Sequence, residues 1–245
     1  MSKIHDFFEK NLQSIRKIVQ LLFFIHFVFL SGLCFCILGI IGRFILIKGF
    51  YLTPTLMVLL LAIILGRVFC GWMCPFGFIL DITYKLRMKV SKLKFLPIVP
   101  EKIHSKLIYL KYIVLILFLY LTYSLSTYTF CKVCPIGTLT NLHGTVISII
   151  LLIFFMVMGF LYPMFFCRYF CPIGALLGIF SIRPIFKVKL NNEKCLNCKL
   201  CDKKCPVQIE LTKNIPQHEC IRCFECKTAC NKEAVKFGIS KYYYI

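Results

Sequence analysis

The sequence predicts an all-α membrane bundle of four transmembrane helices followed by a small C-terminal α+β domain. Three observations carry this reading: four long stretches free of Asp, Glu, Lys and Arg, a fall in hydrophobicity after Pro184, and 16 cysteines gathered in twos and threes. With 59% hydrophobic residues and a mean hydropathy of +0.81, the chain lies above the roughly 45–50% apolar content of soluble domains.

A crossing helix needs about 20 apolar residues. The stretches Ile18 to Ile41, Gly49 to Gly66, Tyr112 to Phe130 and Val146 to Phe166 are each long enough. The first is too long for the apolar core of a signal peptide and has no small-residue cleavage pattern after it, so it reads as retained. Of the 30 Lys and Arg, 27 fall before the first stretch, between the second and third, and after the fourth, leaving 3 for the other side. By the positive-inside rule both termini are then cytoplasmic on a multi-pass chain of the cell membrane. The expected division is an N-terminal segment of residues 1–17, a membrane domain of 18–183 and a C-terminal domain of 184–245. Phe76 to Val90, apolar early and basic at Lys85, Arg87 and Lys89, reads as an amphipathic helix along the inner interface, in contact with membrane lipid. Its second half reads equally well as a solvated loop. Because the basic residues flank apolar runs and form no stripe on a soluble surface, no nucleic-acid partner is expected.

Past Pro184 come Cys195, Cys198, Cys201 and Cys205, with Pro206 following, and then Cys220, Cys223, Cys226 and Cys230. Both runs have the spacing C-x2-C-x2-C-x3-C, the bacterial ferredoxin pattern in which the fourth cysteine of each run ligates the other cluster. One [4Fe–4S] cluster is therefore expected on Cys195, Cys198, Cys201 and Cys230, and a second on Cys220, Cys223, Cys226 and Cys205. The C-terminal part then reads as an α+β two-cluster bacterial-type ferredoxin domain. Three thiolates at this spacing wrap one corner of a cluster because a tight turn points them inward while its amides face the sulfides. Paired zinc knuckles also use close cysteines, but zinc would need no doubled, interleaved run. Asn231 stands where Pro206 follows the first run, which should weaken a turn and leave ligation intact. Lys199, Lys203, Lys204 and Lys227 would raise the cluster potentials or dock an acidic partner, or else form a solvated surface that does neither.

Three further pairs share a signature: Cys70 and Cys74 before Pro75 and Gly77, Cys131 and Cys134 before Pro135 and Gly137, and Cys167 and Cys171 before Pro172 and Gly174. The first and last align as FCGWMCPFGFILDI against FCRYFCPIGALLGI, an internal repeat at an offset of 97 residues. Proline directly after the second cysteine suits the first position of a helix, so Cys74 and Cys171 should lie at positive helix termini with lowered pKa. On the expected topology Cys70, Cys74, Cys167 and Cys171 meet at the cytoplasmic ends of the second and fourth spans. They would form one redox-active site, either a third cluster or a thiol or metal site, with buried inert cysteines as the plain alternative. Cys131 and Cys134 fall at the opposite end, near Cys34 and Cys36. A second four-thiol set there requires a helix break near Gly32, because residues two apart on a helix point about 200° apart; a disulfide or plain packing are its rivals. His26 and His143 sit at different depths and do not form a haem pair. His26 reads as a quinone contact or as a structural histidine.

Four spans, Cys-x-x-x-Cys-Pro hooks after the second and fourth, and a C-terminal two-cluster domain together resemble the NapH and NosR type of ferredoxin-like membrane proteins over most of the chain. The extra pair Cys131 and Cys134 departs from the simplest two-hook pattern. The resemblance implies electron transfer between the quinol pool and a partner oxidoreductase, or delivery of electrons for metalloenzyme maturation. No Ser–His–Asp arrangement, phosphate loop or dinucleotide fingerprint is present, so substrate chemistry is not expected within this chain. The expectation is a relay of single electrons through two [4Fe–4S] clusters, or three if the hooks hold one, between a membrane or soluble donor and a partner oxidoreductase or soluble carrier. The alternative is an assembly or metal-reducing accessory factor whose hooks bind or reduce a metal ion for another protein.

Overall fold

The computed structural model describes residues 2–26, 53–92, 96–125, 138, 145–213 and 215–239. Helix α1 (Ser2–Ile25) runs unbroken from the N-terminal segment into the first expected span. Helix α2 (Thr53–Leu65) fills most of the second expected span. It stops at Gly66, whose φ of 79° is the left-handed conformation that commonly ends helices. A single turn, α3 (Val68–Trp72), leads to α4 (Pro75–Val90). Helix α4 is continuous to Val90, which decides the second half of that segment in favour of helix. Its Phe76, Leu80 and Tyr84, four residues apart, are buried on one face, while Ile82, Leu86 and Val90 are exposed on another.

After α5 (Glu101–Leu107), α6 (Leu110–Leu125) covers the third expected span. Helix α7 (Val146–Leu161) starts at Thr145, whose side chain accepts from the Ser148 N–H at 3.3 Å. It ends five residues before the predicted Phe166. Pro163 disfavours helix in the preceding residue, and Tyr162 is extended accordingly at φ −128°, ψ 125°. Met164 then takes a φ of 52° and opens α8 (Phe165–Tyr169), followed by α9 (Pro172–Phe180). The C-terminal domain holds β1 (Phe186–Leu190), two one-turn helices, α10 (Leu200–Lys203) and α11 (Glu225–Thr228), and β2 (Val235–Ile239). The strands form an antiparallel ribbon with Phe186 opposite Ile239 and Leu190 opposite Val235. The domain is therefore α+β, as expected.

Among the described residues one helical run, Glu101–Ser124, is long and apolar enough to cross a membrane, and Val146–Leu161 is apolar but shorter. Helices α2, α6 and α7 turn large apolar side chains outward, among them Leu60, Ile64, Ile116, Tyr120, Ile150 and Phe154. The core gathers where α4, α7, α8 and α9 meet. Phe166 packs edge-on against Phe76 at 5.0 Å and Phe155 at 4.7 Å between ring centres. Buried charges concentrate in a second place, the seam between the helices and the C-terminal domain: Arg16, Arg67, Asp81, Lys111, Glu219 and Arg222.

Candidate functional site

The two cysteine runs of the C-terminal domain fold alike at an offset of 25 residues. Asn197 and Arg222 have φ of 53° and 56°, Lys199 and Phe224 55° and 58°, and Gln208 and Glu233 57° and 50°. The left-handed conformation costs a side-chain-bearing residue roughly 1–2 kcal/mol. Repeated at the same positions of both runs, it builds turns in which successive N–H groups face inward, the concave arrangement that receives anions. The Asn197 N–H donates to Cys195 Sγ and the Ile209 N–H to Cys205 Sγ, each at 3.4 Å. None of these six residues is glycine, so the turns left no composition signal. The replacement of Pro206 by Asn231 does not weaken the turn. Gln208 N–H bonds Cys205 O at 3.1 Å, Glu233 N–H bonds Cys230 O at 3.2 Å, and neither uses the amide that proline lacks.

Cys195, Cys198, Cys201 and Cys230 line one cavity of about 190 Å³, together with Lys194, Lys199 and Lys232. Cys198 there is exposed. Cys205, Cys220, Cys223 and Cys226 line an enclosed cavity of about 20 Å³ walled by Val188, Val207, Ile209 and Ile221. Each cavity is lined by three cysteines of one run and the last cysteine of the other. Burial pushes the Cys201 thiol up to about 12 and Cys205 to about 11, and raises Cys223 and Cys226 as well.

The hooks repeat each other in hydrogen bonding as well as in sequence. The Cys74 N–H bonds Phe69 O at 3.0 Å, and at the same offset the Cys171 N–H bonds Phe166 O at 2.9 Å. Pro75 and Pro172 each open a helix whose N-cap is the second hook cysteine. The glycine two residues after the proline has a steric reason: a Cβ on Gly77 would stand 2.8 Å from Cys70 O, and one on Gly174 2.6 Å from Arg67 Nη2 and 3.2 Å from Cys167 O. The fold brings Cys70 close enough to Cys74, Cys167 and Cys171 to raise the pKa of each of those three.

The expected lowering of the helix-terminal thiols is reversed. Burial, reinforced by the neighbouring thiols, pushes Cys74 up to about 12 and Cys171 to about 11, and raises Cys167. The amides of Gly77 and Gly174 act in the expected direction, the latter donating to Cys171 Sγ at 3.3 Å, but they are outweighed. Buried thiols such as Cys167 and Cys171 ionise only with a cation beside them. Arg67, 1% exposed, is one such cation: burial works against its charge, yet Cys70, Glu219, Cys171 and Cys167 together raise its pKa.

A polar seam ties the hooks to the C-terminal domain. The first hook loop lies directly on the second cysteine run, where a Cβ on Gly71 would stand 2.2 Å from Ile221 O. Trp72 Nε1 donates to Arg222 O at 2.8 Å. From α1, Arg16 reaches Gly71 O at 2.9 Å, Asp81 Oδ1 at 3.1 Å and Glu225 Oε1 at 3.4 Å, and Gln13 donates to Cys223 O at 2.9 Å. Arg67 bonds Glu219 at 3.1 Å, and Lys111 bonds the same carboxylate at 2.6 Å. Burial and the charge of Arg67 bring Lys111 down to about 8 despite that partner. Sequence reasoning counted Arg16, Arg67 and Lys111 only as loop charges and did not single out Glu219 or Arg222. For the three basic residues, position at the ends of apolar runs was the available signal.

The residues fit iron–sulfur clusters in the C-terminal domain. The donors are thiols, the turn amides face inward, and Arg222, which interacts with Cys220 and Cys226, keeps Nε and Nη1 buried without a hydrogen-bond partner. Arg67 Nε is likewise unpartnered beside the hook thiols. The second cavity, about the size of one water, admits a cluster only if its thiols swing outward. Among the described residues, no three Cys, His, Asp or Glu side chains are arranged to hold a single metal ion. Cys34, Cys36, Cys131, Cys134 and His143 lie outside the described residues, and His26 lies at the end of the described part of the first span.

Fold and site together define a ferredoxin-type iron–sulfur protein of the electron-transfer class. The chain belongs to the 4Fe–4S binding domain family, which matches residues 49–93, 109–148 and 144–191, just over half of its length. Those matches cover the three Cys-Pro pairs and leave out the eight C-terminal cysteines. The chain is 59% identical to an uncharacterized protein of Methanocaldococcus jannaschii, over 93% of this chain and 96% of that one. It is 28% identical to YccM of Escherichia coli, which carries a provisional name as an electron transport protein, over 70% of this chain and about half (51%) of that relative. It is 26% identical to the ferredoxin-type protein NapH of Haemophilus influenzae, over 75% of this chain and 66% of that relative. No solved structure matches the chain.

Proposed function

We propose that this chain is a membrane-bound electron-transfer protein with two [4Fe–4S] clusters in residues 184–245 and a third redox centre at the hooks. Cys195, Cys198, Cys201 and Cys230 would hold the first cluster, Cys220, Cys223, Cys226 and Cys205 the second, and Cys70, Cys74, Cys167 and Cys171 the hook centre. When bound, such clusters accept and release one electron each. The observation that carries the reading is the pair of interleaved four-cysteine cavities, the enclosed one belonging to the run on which the hook loop is seated. The third centre draws support from the family matches, which fall on the hooks, and from the buried guanidinium of Arg67 beside them.

The membrane reading places four spans in residues 18–183 and both termini in the cytoplasm. Its support is the large apolar side chains that α2, α6 and α7 turn outward and the distribution of basic residues. The hook cysteines then lie at the membrane face, next to the second cysteine run, while Cys198 of the first run is exposed. The hook end suits a membrane donor such as a quinol, and the exposed end, with Lys194, Lys199 and Lys232 at its rim, suits an acidic soluble carrier or partner oxidoreductase.

The test is low-temperature EPR with iron counting on anaerobically purified, dithionite-reduced protein, for wild type and for the Cys70→Ser, Cys74→Ser, Cys167→Ser, Cys171→Ser variant. About twelve irons falling to about eight is the expected result. About eight in both makes the hooks a thiol or other-metal site and favours the second reading, an accessory factor that binds or reduces metal for another enzyme, to which four gathered buried thiols are also suited. Iron in neither overturns the proposal.

A further inference from the structure

Helices α1 and α4 enclose a groove of about 440 Å³ lined by Lys17, Ile18, Leu21, Phe78, Asp81, Ile82, Lys85, Leu86 and Lys89. The two helices run antiparallel along it. Phe24 meets Phe78 at 5.6 Å between ring centres, and two turns back along α1, Arg16 meets Asp81 further along α4. Lys17, Lys85 and Lys89 therefore gather at one end, while Leu21 and Phe78 lie toward the other. The groove has a cationic head and an apolar tail.

The charges at the head are not equivalent. Asp81 is committed to Arg16 at 3.1 Å and to Lys85 at 2.9 Å, and Lys85 also holds Glu225 at 2.8 Å. Lys17 and Lys89 are exposed and form no ion pair among the described residues. Two uncompensated cations above an apolar trough match an amphiphile whose head is anionic. The neutral headgroup of a quinone would leave both charges unanswered.

We infer that this groove is a binding site for one anionic phospholipid, its phosphodiester between Lys17 and Lys89 and an acyl chain along Leu21, Phe78 and Ile82. The inference rests on the membrane reading above. The site would fix α1 against α4 and so steady the helix whose Arg16 and Gln13 reach the second cysteine run.

The experiment is native mass spectrometry of the full, cluster-loaded chain, delipidated in detergent and titrated with phosphatidylglycerol, phosphatidylcholine or inorganic phosphate. One phosphatidylglycerol should bind well ahead of phosphatidylcholine, and excess inorganic phosphate should not displace it. In Lys17→Gln/Lys89→Gln, binding of that lipid should fall roughly 30-fold, each lysine contributing about 1 kcal/mol. Lys102→Gln/Lys106→Gln, with the same charge change on α5, should bind as wild type. Equal retention of the two lipids, an unaffected Lys17/Lys89 variant, or full displacement by phosphate overturns the inference. Co-flotation with phosphatidylcholine vesicles separates the two readings: a chain that floats but does not discriminate lipids sinks only the groove, and one that does not float sinks the membrane reading itself.

Discussion

Glu219→Gln is the most informative single change, because one carboxylate answers two buried cations. Glu219 lies between Arg67 at 3.1 Å and Lys111 at 2.6 Å, and the three residues come from the first hook, the start of α6 and the second cysteine run. Replacing it with an isosteric amide leaves Arg67 and Lys111, 1% and 0% exposed, facing each other without the carboxylate between them. Breaking a buried pair in this way costs about 3–5 kcal/mol. For a chain of this length each kcal/mol moves the melting point by roughly 2–4 °C, so a loss on the order of 10 °C is expected. Adding Lys111→Met to Glu219→Gln removes the repulsion and should recover about 1–3 kcal/mol of that loss, a coupling that independent sites would not show. The assay is thermal unfolding of the anaerobic, cluster-loaded protein in detergent, with cluster absorbance followed in parallel. An unchanged melting point in Glu219→Gln, or strict additivity in the double variant, would refute the claim that this triad clamps the helices to the C-terminal domain.

Two other changes test the seam and the second cysteine set. Gly71→Ala forces a methyl to within 2.2 Å of Ile221 O; it should cost about 1–3 kcal/mol through overpacking and slow electron equilibration between the proposed hook centre and the proposed C-terminal clusters, as read by freeze-quench EPR. Arg222→Gln removes a buried cation beside Cys220, and should lower the midpoint potential of one cluster on the order of 100 mV, since a charged hydrogen bond contributes about 1.5–3 kcal/mol. Arg222→Lys should restore part of that shift in a redox titration.

The parts of this molecule legible in its sequence are those written in local spacing. The C-x2-C-x2-C-x3-C runs were legible because chain connectivity limits which three thiols of a run can share one turn. Pro75 and Pro172 mark helix starts because they fit the first helical position whatever surrounds them. Spans were legible as composition and less so as length: an apolar count runs through Tyr162 to Phe166, whereas Pro163 ends α7 at Leu161. Burial was the larger blind spot. A thiol at a helix terminus reads as acidic until its neighbours are known, and in Cys74 and Cys171 desolvation reverses the sign. Arg16, Arg67 and Lys111 look like ordinary loop charges because their partners, Asp81, Glu225 and Glu219, lie 65, 209, 152 and 108 residues away along the chain. The left-handed turns left no trace because the residues adopting them are Asn, Lys, Arg, Phe, Gln and Glu, each of which reads as an ordinary side chain.

The 25-residue internal symmetry of the C-terminal domain has an evolutionary corollary. Matching backbone angles at six positions of unrelated chemistry are what a tandem duplication leaves behind after its side chains have drifted. Because each half lends its last cysteine to the other's cavity, damage to either copy is felt in both. A duplicate normally gains freedom to decay, but here neither copy is redundant.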